Sequence, residues 1–227
     1  MQTKLGQFTF DPARTTAIEN FEEIGGRTTR TVRLQGVLEH LESRAALEAA
    51  LDAVLAAAPA SGQTPLSLRA GRRLLVRRTG FRREVMREPL VGAFRLDLEA
   101  VQPREEAETL SEDTWYFASS GATHLFHTGG NTPAAPVLAL TASGTVIEPT
   151  LSDGTRTLHY DGVLEHGDVL VVDGPQRRVT KNDADVTPYT TGLFPRIAPP
   201  ETLFTYTDAP DSSHAGVIEA SWRDLWW

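Results

Sequence analysis

The sequence predicts a mostly β protein with one α-helix, arranged as two domains. Three observations carry this reading. Turn signals recur about every 8 to 12 residues in the second half of the chain, a single stretch shows helical periodicity, and the composition changes near residue 103. A length of 227 residues is enough for two hydrophobic cores.

In the first half, TTRTVRLQGVL at 28–38 alternates Val32 and Leu34 with Arg30, Arg33 and Gln35, as a half-buried strand would. The period then changes. Ser43 suits an N-cap, and RAALEAALDAVLAAA sets Leu47, Leu51, Val54 and Leu55 at helical spacing, with Pro59 just beyond. This predicts a helix over 43–58 whose apolar stripe, one face wide, lies on a sheet. LSLRA, RRLLVRRTGF and VGAFRLDLEAV return to strand patterning, with Phe94, Leu96 and Leu98 on one face. Residues 1–102 are thus expected to form an N-terminal β-domain, a sheet or sandwich carrying the helix. PREEAETLSE is acidic and aperiodic and predicts a linker over 103–112. From 113 to 227, PVLALTA, TRTLHY, DVLVV and GVIEASW are separated by Asp153-Gly154, Asp161-Gly162 and Asp173-Gly174. That rhythm predicts an antiparallel β-sandwich.

The formal charge of −8 is unevenly spread. Residues 1–102 hold 15 basic and 12 acidic side chains, whereas 103–227 hold 7 and 18, as two surfaces with different partners would. No apolar run approaches the roughly 18 residues of a membrane span, and the N-terminus lacks the apolar centre of a signal peptide. The chain is expected to be made in the cytosol and to have no membrane partner. With no cysteine, disulfides, thiolate metal sites and cysteine nucleophiles are excluded.

Eight arginines fall within 69–87: Arg69, Arg72, Arg73, Arg77, Arg78, Arg82, Arg83 and Arg87. Aromatic interleaving is limited to Phe81, and Glu84 and Glu88 lie among them, so a subunit-contact or solvated face is a better reading than nucleic-acid binding. His124 and His127 lie three apart, on opposite faces of a strand. NDADV lacks the glycine and bidentate glutamate of a calcium loop. No GxSxG, HExxH, Walker or GxGxxG pattern occurs. No catalytic residue, metal or cofactor is expected.

EHGDVLVVDGPQRRVTKNDADV, at 165–186, holds four aspartates and one histidine. Pro175 disfavours a two-residue turn, so a four-residue loop over 173–176 is expected. It pairs Val172 with Arg177, Leu170 with Val179 and Asp168 with Lys181, and buries VLVV on both faces. Only His166, Asp183 and Asp185 then remain as a conceivable cation cluster. GVIEASWRDLWW places Trp222, Trp226 and Trp227 near the C-terminus. Because exposed tryptophans are unfavourable in water, they are expected to pack on their own sandwich or on a neighbouring subunit.

Taken in order, four features resemble the distal tail proteins of phages with long, non-contractile tails. These are the N-terminal β-domain with one helix followed by GRRLLVRR, the lead-in GGNTPAAPVLAL at 129–140, the hairpin DGVLEHGDVLVVD at 161–173, and the ending ASWRDLWW. The family's late Pro-Gly-Asn turn is replaced here by FPRIAPP at 194–200. The resemblance implies a structural, non-enzymatic virion protein assembled in the host cytoplasm. It implies a homohexameric ring built by the first domain, capping the tail tube, bound to a tip hub or fibre protein and leaving a channel through which DNA passes without specific binding. It also implies that the second domain is a galectin-like sandwich. The alternative is a carbohydrate-binding module recognising a cell surface, with Trp115, Tyr116, Tyr160 and Trp222 as stacking candidates.

Overall fold

The computed structural model describes residues 2–39 and 41–227. Its chain divides into two units, residues up to Glu108 together with Trp227, and Thr109–Trp226.

In the first unit an antiparallel sheet runs in the order Phe8–Thr9, Lys4–Leu5, Thr64–Arg69, Arg72–Met86, Val91–Ala100, Arg27–Leu38, Thr15–Ile24. The helix spans Arg44–Ala57, and the Ser43 hydroxyl accepts from the Ala46 N–H at 3.2 Å. That bond satisfies one of the backbone donors a helix start leaves open. Leu47, Leu51 and Val54 face the sheet and are buried with Val32, Leu34, Phe94, Leu96 and Leu98. The predicted helix thus coincides with the observed one, and of its apolar stripe Leu55 alone stays half-covered. Of the predicted linker, Glu105–Ala107 is a strand paired with Arg72 and Arg73, and Ser111–Phe117 opens the second unit.

Arg30 departs from the simple alternation. It is only 2% exposed, and its guanidinium donates to Glu19, to Glu105 at 2.8 Å and to the Pro103 carbonyl at 3.1 Å. A charged side chain enters a core only where opposite charge and hydrogen-bond partners meet it, and here two carboxylates do.

The second unit is a sandwich. One sheet runs Ala184–Asp185, Arg178–Lys181, Val169–Asp173, Val137–Ala142, Gly216–Trp222, Ser111–Phe117, and the other Thr123–His127, Glu201–Thr207, Thr150–Ser152, Thr157–Tyr160, Thr190–Gly192. Inward residues alternate along the longer strands, as a sheet with one solvated face requires. Leu138, Leu140, Leu170, Val172 and Ile218 from one sheet meet Phe126, Leu151, Leu158, Phe204 and Tyr206 from the other. The VLVV strand therefore corrects the expectation of burial on both faces. Leu170 and Val172 are buried, while Val169 and Val171 are half-covered on the outer face.

The hairpin loop also moves. It keeps four residues but occupies 174–177, so Asp173 pairs with Arg178, Val172 with Val179 and Leu170 with Lys181. The cause is local: Asp173 Oδ1 accepts from the Gln176 N–H at 2.8 Å, and Arg177 takes the left-handed conformation that ends the turn. Val179 still faces inward, because the partner shift is two residues.

Replacing Arg30 with Ala leaves Glu105 buried with one guanidinium fewer. The expected loss is about 3 kcal/mol, read as a lower midpoint in urea unfolding followed by circular dichroism.

Candidate functional site

Six of the eight arginines lie on the long strand Arg72–Met86, with Arg69 ending the strand Thr64–Arg69 before it and Arg87 just after it. Most of these side chains find partners in their own unit. Arg69 reaches Glu19 at 3.1 Å and also bonds Glu105, and Arg72 lies 3.8 Å from Glu105. Arg73 pairs with Glu106 at 2.7 Å and Arg77 with Glu99 at 3.1 Å. Arg83 pairs with Asp52 on the helix, and Arg78 donates to the Leu55 carbonyl. Arg82 and Arg87 form no ion pair among the described residues. Arg82 instead stands opposite Arg95 across the sheet, and Arg95 is itself paired with Asp97 at 3.0 Å.

The same strand has an open edge. Its partner Thr64–Arg69 stops at the level of Val76, so beyond that point, among the described residues, only Val91–Ala100 pairs with it. At the opposite margin of the sheet, among the described residues, Thr15–Ile24 pairs only with Arg27–Leu38. Each open edge is about ten residues long, and such edges template pairing with another chain. Their charges are opposite: 77–86 carries four arginines and one glutamate, and 15–24 carries three glutamates and no basic residue. Phe21 on the acidic strand is half exposed.

In the second unit the C-terminal strand closes over the glycine-rich lead-in. Trp222 is buried edge-to-face against Phe126, and its indole N–H donates to Asp224 Oδ1 at 3.0 Å. The Thr128 hydroxyl donates to the same oxygen at 2.7 Å. The Asn131 N–H donates to the Leu225 carbonyl at 2.9 Å. A Cβ on Gly130 would stand 2.4 Å from that carbonyl oxygen, so only glycine admits this approach. Two of the sequence features that carry the resemblance are thus in contact. Trp226 is half-buried, and Trp227 is 52% exposed with the Arg104 guanidinium 4.9 Å from its ring centre.

The remaining candidates fall apart or become turns. His124 stacks on Trp115 and lies 3.0 Å from Asp113, whereas His127 sits on the other face near Glu201. Asn182 and Asp183 both take positive φ in a two-residue hairpin between Lys181 and Ala184. Asp185 accepts from the Thr187 N–H and pairs with Arg178. Among the described residues no group of three or more acidic or histidine side chains is placed to hold a metal ion. Of the four sugar-stacking candidates, Trp115, Tyr160 and Trp222 are buried, and Tyr116 is 79% exposed.

Asp168 is bound on three sides. It accepts from the Glu165 N–H at 2.8 Å and the Asn182 amide at 2.7 Å, and pairs with Lys181 at 2.8 Å. The expected Asp168–Lys181 pair therefore forms although the register differs. The Lys181 hydrogen bond first, then those from Glu165 and Asn182, hold its carboxyl down from the ordinary 3.8 to about 2.

The fold and these contacts define a protein built from packed sheets, open strand edges and charged surfaces. Residues 129–226 match the family described as siphovirus-type tail component, C-terminal domain. The family is one of structural phage tail components. The chain is also similar to the crystal structure of the phage SPP1 Dit protein, described as a paradigm of the hub adsorption apparatus in phages infecting Gram-positive bacteria. The TM-score is 0.65 at 12% identity, over 96% of this chain and 93% of that one. A search of curated proteins gave no match. The resemblance read from the sequence and the mostly β, single-helix fold both stand.

Two outcomes follow from these contacts. Gly130→Ala forces the last strand away from its seat and lowers stability by roughly 1–3 kcal/mol, measured by thermal unfolding. Because the folded pKa of Asp168 lies below its unfolded one, its contribution is complete above about pH 4 and is lost as pH falls through about 2. In acid titrations of the unfolding midpoint, Asp168→Asn should decline less than the parent protein over that window.

Proposed function

We propose that this tail component forms a ring at the distal end of the phage tail, joining the tail tube to a tip hub or fibre protein around a channel for DNA. The carrying observation is the pair of oppositely charged open edges at the two margins of the first unit's sheet. An acidic 15–24 edge laid against the basic 77–86 edge of the next copy continues the sheet from subunit to subunit. This is a heterologous, head-to-tail contact, the type that generates rings. Arg82 and Arg87 then supply the intersubunit ion pairs, while the already paired arginines hold the strand in shape. The family resemblance supports six copies, a position in the virion tail after assembly in the host cytoplasm, and passage of DNA without specific binding. The likeness to the SPP1 Dit fold over almost the whole chain supports a place in the hub.

Negative-stain imaging of the purified protein should show rings of about six subunits, alone or with co-expressed tube protein. Raising salt to about 1 M, where charges are screened within about 3 Å, should shift rings toward monomer. Arg82→Glu with Arg87→Glu should abolish rings, and adding Glu22→Arg with Glu23→Arg should restore them. Unchanged rings in the first double variant would remove the edge contact. A monomer under every condition would remove the ring.

A further inference from the structure

The second unit is strongly acidic, with 15 acidic and only 6 basic residues over 109–226. Three of those six, Arg156, Arg177 and Arg196, line one pocket of about 240 Å³. They come from three separate loops; Asp153 Oδ2 lies 3.9 Å from Arg156 Nη1 behind the wall, and no carboxylate lines the pocket itself. Clustering half of a domain's scarce positive charge in one concavity, against a negative surround, singles out that spot for an anion.

The loops are fixed before anything binds. Asp153 Oδ1 accepts from the Thr155 N–H at 2.8 Å and the Arg156 N–H at 2.6 Å, while Oδ2 accepts from the Arg196 N–H at 2.8 Å. Burial alone would raise the Asp153 pKa, but these bonds outweigh it and hold it below the ordinary value. The Leu193 N–H donates to the Thr157 carbonyl at 2.8 Å. A Cβ on Gly192, at φ +101°, would come within 2.0 Å of that carbonyl oxygen, so the loop lies flat on the hairpin beside it. Asp173 sets Arg177 through the turn described above. A preformed site loses little ordering entropy on binding, and guanidinium forks suit carboxylate oxygens.

The rest of the wall identifies the ligand class. Leu193 is 61% exposed at the rim, and Phe194 and Pro195 back it. A bare phosphate polymer has no use for this apolar side, whereas a peptide pairing an acidic with an apolar residue matches both halves. We propose that the Arg156–Arg177–Arg196 pocket docks a short acidic and apolar segment of a partner protein. A carboxylate sits among the guanidinium groups, and an apolar side chain lies against Leu193. The idea rests on the tail-component reading only in expecting a partner, and it uses the segment at 194–200 where this sequence departs from the family pattern.

The test is fluorescence anisotropy on the full chain with a labelled peptide Gly-Glu-Leu-Asp-Phe-Gly, its amide counterpart Gly-Gln-Leu-Asn-Phe-Gly, and inorganic polyphosphate as competitor. Arg156→Gln with Arg177→Asn removes two guanidiniums. Asn tolerates the left-handed turn at 177, and circular dichroism confirms the fold. The acidic peptide should bind, and both the amide peptide and the double variant should weaken binding about tenfold or more. Absence of binding by the acidic peptide, or equal binding by the variant, overturns the proposal. So does polyphosphate that binds the arginines more tightly than the peptide, which would make the pocket a phosphate-polymer site. Ring formation is read separately by imaging, so either idea can fail alone.

Discussion

A guanidinium inside a protein core has to be met by carboxylates, and the first unit is organised around that requirement. Arg30 on Arg27–Leu38, Glu19 on Thr15–Ile24, Arg69 on Thr64–Arg69, Arg72 on Arg72–Met86 and Glu105 on Glu105–Ala107 form one connected cluster. Five strands therefore share a single electrostatic knot. The Arg30 Nε is buried with no partner, so the cluster is not fully satisfied, and a hydrophobic replacement of the same shape would not obviously be less stable. What the charges add is geometry, since each strand must lie where its side chain completes the set.

The second unit is held differently. Its sandwich depends on apolar layers, and its polar groups are spent on turns and closures. Asp153, Asp168, Asp173 and Asp224 each accept hydrogen bonds that fix a loop or the last strand. The acidic content that looks like a cation site in the text is largely turn chemistry. The contact of Gly130 with Leu225 shows why a glycine-rich lead-in and an aromatic ending belong together, although 95 residues separate them.

Much of the fold is legible in the sequence. The helix is readable because its cap and stripe are local, and the sandwich strands because turn residues punctuate them. Thr15–Ile24 is not, since its part-covered face carries Thr15, Ala17 and Glu19, which give no apolar alternation to detect. The burial of Arg30 is equally hidden, because its partners Glu19 and Glu105 lie 11 and 75 residues away. The loop at 174–177 is offset by one position because Asp173 caps its own turn while remaining in the strand. The three-arginine pocket could be found only after folding, since Arg156, Arg177 and Arg196 are unremarkable singly and meet through three loops.

An edge-to-edge contact has a property that a patch-to-patch contact lacks. The sheet that carries both edges also fixes the angle through which each added copy is turned. In the proposed ring, closure at six requires a rotation of about 60° per copy, and any other angle yields an open spiral. The twist stored in the long strands Arg72–Met86 and Thr15–Ile24 would therefore act as the molecule's counting device. A change that flattened or coiled those strands would alter how many copies assemble while leaving every contact between them intact.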